Sequence, residues 1–183
     1  MKRRAALILI IFVIITIISA DAPKFDVFRT GKPEQVSAFL LSGFPINTTD
    51  SNGSTPLMYA AAFNYYTEVI TMLIAAGADV NFRDKLGMTA LMYAALNNTN
   101  PEVIRTLIKV GAEVNAQDSS GRTALMYAAG YNSNATMITI LLEAGANATL
   151  KSKTGKTAYD YALLNRYFKN SPILSVLKAK ASS

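Results

Sequence analysis

The chain has 183 residues, 51% of them apolar and 16% charged, with a formal net charge of +6. That is enough for one ordinary domain and too apolar for a disordered chain. Cys, His and Trp are absent, which excludes disulfides, thiolate or imidazole zinc sites, Ser-His and Cys-His nucleophile pairs and His-ligated haem. What remains is carboxylate, Lys or Tyr chemistry, or a protein that binds rather than catalyses.

Lys2-Arg3-Arg4 precedes an apolar run from Ala5 to Ile18 broken only by Thr16, and Ser19, Ala20 and Asp21 follow. A basic start, an apolar middle and small residues before a polar one make a secretory signal peptide over residues 1–20, cleaved between Ala20 and Asp21. The rival is a retained membrane anchor. As a helix, Ala5 to Ala20 reaches about 24 Å, short of the roughly 30 Å of a bilayer core. On either reading the remainder lies outside the cytoplasm, as a periplasmic or secreted protein or as a membrane-anchored one facing away from the cytoplasm. Residues 21–183 hold fifteen basic and twelve acidic groups, a net +3. Seven of those basic groups and one acidic group fall in 151–183. A basic cluster at one end is not the continuous stripe that nucleic acid requires, so no nucleic-acid partner is expected. With no Cys in an exported chain, packing alone must hold it together, and the remaining length suffices for that.

From Asp50 to Leu150 the chain repeats every 34 residues. Thr55-Pro56-Leu57-Met58-Tyr59-Ala60-Ala61 returns as Thr89 to Ala95 and Thr123 to Ala129, and more weakly as Thr157 to Leu163. Gly53, Gly87, Gly121 and Gly155 form one series, and Gly43, Gly77, Gly111 and Gly145 another. A fixed period of this size signals a solenoid. Asp50 to Gly53 reads as a turn, with Asp folding onto the following backbone and Gly taking a positive φ. Thr55 suits an N-cap and Pro56 the first helical position. Leu57, Ala60 and Ala61 share one helical face. After a loop at Phe63 to Tyr66, Val69, Ile70, Leu73 and Ile74 stripe a second helix. Val103, Ile104, Leu107 and Ile108 match that stripe, as do Met137, Ile138, Leu141 and Leu142. Gly77 ends the helix as a C′ residue. Each unit is turn, helix, loop, helix, with an apolar face that only its neighbours can cover.

The Asp-x-x-Gly-x-Thr-Pro/Ala-Leu-x-x-Ala-Ala block and Gly77-Ala78-Asp79-Val80-Asn81 resemble the ankyrin repeat family, over about residues 23–180. The resemblance implies an all-α solenoid of helix-loop-helix units joined by β-turn or hairpin-like loops, about five units with caps. Residues 21–49 lack the Thr-Pro-Leu block but keep Gly31, Val36, Phe39, Leu40 and Gly43, and form an N-terminal cap. Residues 50–150 hold three full repeats. Residues 151–183 form a C-terminal cap with a basic tail, in which Ser152 replaces Asp and Asp160 replaces Met, and Ser171-Pro172 starts a helix to about Lys178. A polar, basic outer face is what such a cap requires. Three departures stand out. The family's usual His after Leu is Met58, Met92 and Met126, so its hydrogen bonds to the neighbouring turn are missing. The repeats exceed the common length by one residue. The usual Gly between the helices is absent from the middle repeats, where Asn97-Asn98-Thr99 and Tyr131-Asn132-Ser133-Asn134 stand.

Ordinary roles absorb most candidate sites. The tyrosines Tyr59, Tyr93, Tyr127 and Tyr161 are expected to pack on their neighbours with wet hydroxyls rather than form a stacking surface for a ligand. The Met ladder reads as core, and Asp50, Asp84 and Asp118 as turn formers. Units in such a stack lie about 10 Å apart, too far for carboxylates to share a proton. Gly155-Lys156-Thr157 is a repeat turn and not a phosphate loop, because Leu150 stands where that motif needs Gly. Sequons at Asn47, Asn52, Asn97, Asn134 and Asn147 could take glycans in a eukaryotic secretory pathway. The reading preferred is plain loop residues in an exported bacterial protein.

The surface is left to carry function. The resemblance implies docking on the concave side, through turn tips and the ends of the first helices. Carried over, the candidate partner-binding residues are Phe63 in the first full repeat; Arg83, Lys85, Leu86, Met88, Leu96 and Asn97 in the second; and Gln117, Ser119, Ser120, Arg122 and Tyr131 in the third. Phe63, Leu86, Met88 and Tyr131 stand where solvation alone favours polar groups, edged by Arg83, Lys85 and Arg122, as a protein interface would have them. The expected function is therefore non-enzymatic binding of a protein partner outside the cytoplasm, by a monomer without cofactor or metal, inhibiting or protecting an envelope protein. Two alternatives stay open: an anchored scaffold that meets the membrane through its retained N-terminal segment, and an enzyme using carboxylates or Lys around Lys151, Lys153, Lys156 and Asp160.

Overall fold

The computed structural model describes residues 25–181; the signal segment and its Ala20–Asp21 junction lie outside the described residues. Among those, ten α-helices follow one another with no strand between them. They are α1 (Asp26–Thr30), α2 (Pro33–Leu41), α3 (Pro56–Phe63), α4 (Thr67–Ala75), α5 (Ala90–Asn97), α6 (Pro101–Lys109), α7 (Ala124–Tyr131), α8 (Ala135–Glu143), α9 (Ala158–Ala162) and α10 (Ile173–Ala181). Odd and even members pair into five units, with a 3₁₀ turn at Arg166–Phe168 inserted in the last. The all-α solenoid expected from the repeat is the fold observed.

Threonine starts the first helix of each unit after the N-terminal cap. Thr55, Thr89, Thr123 and Thr157 are extended, and their hydroxyls accept from the amides of Met58, Met92, Met126 and Asp160 at 3.3–3.4 Å. Asp160 closes a capping box by accepting from the Thr157 amide at 2.8 Å, as the residue that replaces Met there. The second helices end on glycine: Gly77 has φ +92°, and the Ala78 amide reaches back to the Leu73 carbonyl at 3.0 Å, which closes the helix in the Schellman manner.

The first helices of the second to fourth units are covered on nearly every side. In α3 every residue from Pro56 to Ala62 is buried, because α1 and α5 pack against its two sides. Ala60, Ala61, Ala94, Ala95, Ala128 and Ala129 have no exposed surface, and these small side chains let α3, α5 and α7 approach closely. The second helices bury one stripe each, Val69–Ile70–Leu73, Val103–Ile104–Leu107 and Met137–Ile138–Leu141. Ile74, Ile108 and Leu142 are only half-buried at its edge. Each buried aliphatic side chain contributes about 1.5–3 kcal/mol.

Asparagine stitches the units together, and sequence reading treated these residues as plain loop. Asn98 follows α5 in extended conformation, with φ −76° and ψ 143°. Its carboxamide donates to the Ala61 and Asn64 carbonyls of the preceding unit, both at 2.9 Å, and accepts from its own Asn100 amide at 2.9 Å. Asn64, Asn132 and Asn165 make the same three bonds, to Phe28 and Gly31, to Ala95 and Asn98, and to Ala129 and Asn132. Because this residue needs no positive φ, the glycine expected between the helices has no task here. A second ladder runs over the outer loops. Asn47, Asn81 and Asn115 donate to the carbonyls of Gly77, Gly111 and Gly145 at 3.0–3.1 Å. The Asn47 and Asn134 sequon amides are thus engaged in packing, the latter on the Thr99 carbonyl at 3.2 Å.

The two caps differ. At the N-terminal end Phe25 stacks on Tyr59 with centroids 4.9 Å apart, and Phe28 meets Phe39 edge-on at 5.5 Å, so aromatic rings close that end of the core. At the other end Phe168, Ile173 and Leu177 are buried, while Leu163, Leu164, Tyr167 and Val176 are exposed beside Lys169, Lys178 and Lys180. Apolar groups thus share the surface of this cap with its basic ones.

Replacing Asn98 by Ala removes three hydrogen bonds and leaves two buried carbonyls of the second unit unpaired. The expected loss is about 2–4 kcal/mol of unfolding free energy in urea. Asn100→Ala, which removes a half-exposed helix cap, is expected to cost about 1 kcal/mol.

Candidate functional site

The turn tips carry the candidate surface, and their aspartates hold them. One oxygen of Asp50 accepts from the Asn52 and Ser54 amides, both at 2.8 Å. Asp84 does the same for Leu86 and Met88, and Asp118 for Ser120 and Arg122, at 2.7–2.8 Å. The second oxygen of each accepts from the tyrosine nine residues on: Tyr59 and Tyr93 at 2.8 Å and Tyr127 at 2.6 Å. The wet hydroxyls expected of these tyrosines are corrected. From buried Tyr59 and Tyr127 and half-buried Tyr93 the hydroxyls donate to the turn and tie it to the first helix of the same unit, a task that Met, with a thioether only, cannot perform. In the last unit Ser152 replaces Asp, and Tyr161 lies 3.3 Å from its hydroxyl.

Burial acts on these pairs. It raises the Asp84 carboxyl above the ordinary aspartate range, against hydrogen bonds from Tyr93 and the Met88 and Leu86 amides that lower it. The Tyr93 phenol is pushed well up, first by burial and then by the Asp84 charge. The Tyr127 phenol is also raised by burial, which outweighs the opposing Arg122 charge.

Successive tips are joined into one row. The Lys85 amide donates to the Asn52 carbonyl, Ser119 to Leu86 and Lys153 to Ser120, at 2.8–3.0 Å. A Cβ on Gly87 would come within 3.0 Å of the Ser119 amide nitrogen, so glycine serves this close approach as well as its φ of +74°. Polar side chains reinforce the row. Lys85 reaches the Ser51 carbonyl at 2.8 Å, Arg83 that of Gln117 at 2.7 Å, and Gln117 that of Gly121 at 2.7 Å. Arg83 also lies 3.8 Å from Glu113.

The predicted partner-binding residues divide into three groups. Arg83, Lys85, Leu86, Gln117, Ser119 and Ser120 are exposed along the tips, Leu86 at 53%. Phe63, Asn97, Arg122 and Tyr131 are half-buried. Arg29 covers Phe63 at 4.8 Å from the ring centroid, and Tyr131 tilts against Tyr127 at 6.1 Å. Met88 and Leu96 are corrected: 1% and 9% exposed, both belong to the core. At position 88 a flexible thioether folds inward, where nothing polar holds it out. Leu96 is covered because its helix is packed on both sides. Between the tips of the second and third units a cavity of about 120 Å³ opens, lined by Asp50, Ser54, Tyr59, Phe63 and Leu86 among others. Sequence reading did not foresee it.

The family model described as ankyrin repeats (3 copies) matches residues 26–118 and again residues 98–181. The chain belongs to the ankyrin-repeat family. Among curated proteins none matches it. Ankyrin repeats are protein–protein interaction modules, in a family that is typically non-enzymatic. Among the described residues no helix is long and apolar enough to cross a membrane, and no group of Asp and Glu stands arranged for a metal ion.

Tyr93→Phe leaves one Asp84 oxygen without its hydroxyl donor, and a loss of about 1–3 kcal/mol is expected in urea unfolding. Tyr127→Phe is expected to cost less, because Arg122 still donates to the same Asp118 oxygen at 3.1 Å. A pH series tests Asp84 itself. Its folded pKa lies above the unfolded 3.8, so the folded state binds the proton more tightly and stability falls as pH rises between the two values. The stability of the wild type relative to Asp84→Asn is therefore expected to increase as the pH drops through that window and to level off below it.

Proposed function

We propose that this ankyrin-repeat protein works outside the cytoplasm and docks a protein partner on the row of turn tips, holding or shielding an envelope protein. The observation that carries the docking reading is the row itself. Backbone hydrogen bonds from tip to tip fix its geometry before any partner arrives, while Leu86, Arg83, Ser119 and Ser120 stay exposed along it. A pre-ordered surface loses little conformational entropy on binding, and an apolar residue edged by Arg is the composition of an interface centre. The location rests on Lys2-Arg3-Arg4, the apolar run and Ala20 before Asp21.

Leu86→Asp together with Ser119→Arg is expected to weaken a partner captured by the wild type at least tenfold, or about 1.4 kcal/mol. Thr71→Arg and Thr139→Arg, exposed on the second helices, are expected to leave the affinity unchanged. Equal affinity in both variants would remove the turn row as the docking face. For the location, mass spectrometry of the protein from its own host is expected to find a chain beginning at Asp21. A mass that includes residues 1–20 would instead support a membrane-held scaffold.

A further inference from the structure

The fifth unit departs from the others at the end of its first helix. Ala61, Ala95 and Ala129 stand near the C-terminal ends of α3, α5 and α7 and are fully buried. Their carbonyls accept from Asn98, Asn132 and Asn165 of the unit that follows. Leu163 holds the same place in the fifth unit, at the repeat spacing. Leu164 continues the register of Ala62, Leu96 and Gly130, of which Ala62 and Leu96 are covered. Among the described residues no unit follows the fifth, and the two leucines are exposed at 53% and 70%. The frame asks for no more than Ala at the first of these places, and a terminal cap calls for polar groups. Tyr167 on the 3₁₀ turn and Val176 on α10, which packs against α9, extend the exposed apolar surface.

Cations stand among these groups. Arg166 and Lys169 lie on either side of Tyr167 in the chain, both exposed. The Arg166 Nη2 donates to the Tyr167 hydroxyl at 2.7 Å, and its guanidinium lies 4.8 Å from the ring centroid. Lys180 shares a flank of α10 with Val176, four residues before it. In all, residues 151–183 hold seven basic groups against one acidic group, Asp160. That carboxylate is committed within its own unit, accepting from the Thr157 amide and hydroxyl, both at 2.8 Å.

We propose that this end of the stack is a membrane-docking surface for anionic phospholipid. Leu163, Leu164 and Tyr167 enter the headgroup layer, and the cations around them meet the lipid phosphates. Charge complementarity selects this occupant. The basic groups sit on separate elements, the turn and α10, so an extended anionic sheet answers several of them at once. Apolar area and attraction to anionic lipid add in such binding. Tyrosine suits the boundary between the two, with an apolar ring and a polar tip, and long cationic side chains lay their stems on apolar surface while their heads stay wet. The surface lies at the C-terminal end of the first helix, away from the turn tip at its start, and does not depend on the docking reading above.

The chain has no Trp, so one introduced indole reports a single place. Leu164→Trp in the full chain is titrated with vesicles of equimolar phosphatidylglycerol and phosphatidylcholine, and with vesicles of phosphatidylcholine alone. Leu86→Trp, on the turn row, is the control. The emission of Leu164→Trp is expected to move to shorter wavelength on the mixed vesicles and to be quenched by brominated acyl chains, with apparent affinity at least tenfold lower on phosphatidylcholine alone. Leu86→Trp is expected to keep its emission. Adding Arg166→Glu and Lys169→Glu to Leu164→Trp is expected to weaken the response at least tenfold. Association through residues 1–20 does not mimic this result, because the probe reports residue 164. An unchanged emission of Leu164→Trp, the same shift in Leu86→Trp, or equal responses to the two kinds of vesicle would each overturn the proposal. So would an undiminished response in the folded charge-reversed variant; the two vesicle compositions decide the matter even if that variant does not fold. A shift that grows with protein concentration without lipid would assign the surface to a second copy. One produced by soluble poly-L-glutamate and not by vesicles would assign it to an acidic protein. Either outcome overturns the membrane assignment.

Discussion

A carboxamide buried between units governs the stack. Asn64, Asn98, Asn132 and Asn165 each donate two hydrogen bonds to carbonyls of the preceding unit and accept one from their own loop. The carbonyls concerned lie near the C-terminal end of a first helix or in the loop beyond it, where α-helical bonding leaves carbonyls unpaired. Buried without a partner, each would cost about 1–3 kcal/mol. Asn is the shortest side chain with two donors and an acceptor in one plane. The consequence is directional: every unit completes the one before it, and none satisfies its own loop alone. Stability is then shared between neighbours along one dimension, as expected of a solenoid.

The turns add a second tie within each unit. Asp binds two turn amides with one oxygen and a tyrosine hydroxyl with the other, so the loop that carries the surface is fixed to the helix that carries the core. The family resemblance suggested a missing interaction where Met replaces His. The structure supplies an anchor from the adjacent residue of the same helix, since Tyr59, Tyr93 and Tyr127 directly follow the methionines. Turn, helix and neighbouring turn thus form one hydrogen-bonded body, and the side chains along its edge are presented on a firm base.

Local features were legible in the residues, and distant ones were not. Thr caps, Asp turns and glycine helix ends act over two to five residues, so their type and spacing already state their role. The asparagines recur with almost the same regularity, but their partners lie 33 to 37 residues away, and loops are rich in Asn for simpler reasons. The spacing of nine from Asp50 to Tyr59 was also in view. Reading it required knowing that the turn folds back over the start of the helix. Exposure at the turn slot was the least legible feature, because Met88 and Arg122 share a position and differ only in what their ends require. A thioether is satisfied inside, whereas a guanidinium must find a carboxylate and a ring.

That slot shows how a repetitive frame acquires a non-repetitive surface. The backbone, caps and stitches hold their places from unit to unit, and so does the acidic, aromatic seat beside each of the three Asp turns. Four different residues at one position then vary the surface: Ser54, the inward-folded Met88, and the cations Arg122 and Lys156 over tyrosine rings. Charge follows the same division. The basic groups of residues 151–183 gather at the C-terminal cap, while the open cavity lies toward the opposite end, in the part of the chain where acidic groups outnumber basic ones. Surface charge is thus graded along the stack, from an acidic body to a basic cap, so units built on one frame differ in what they present.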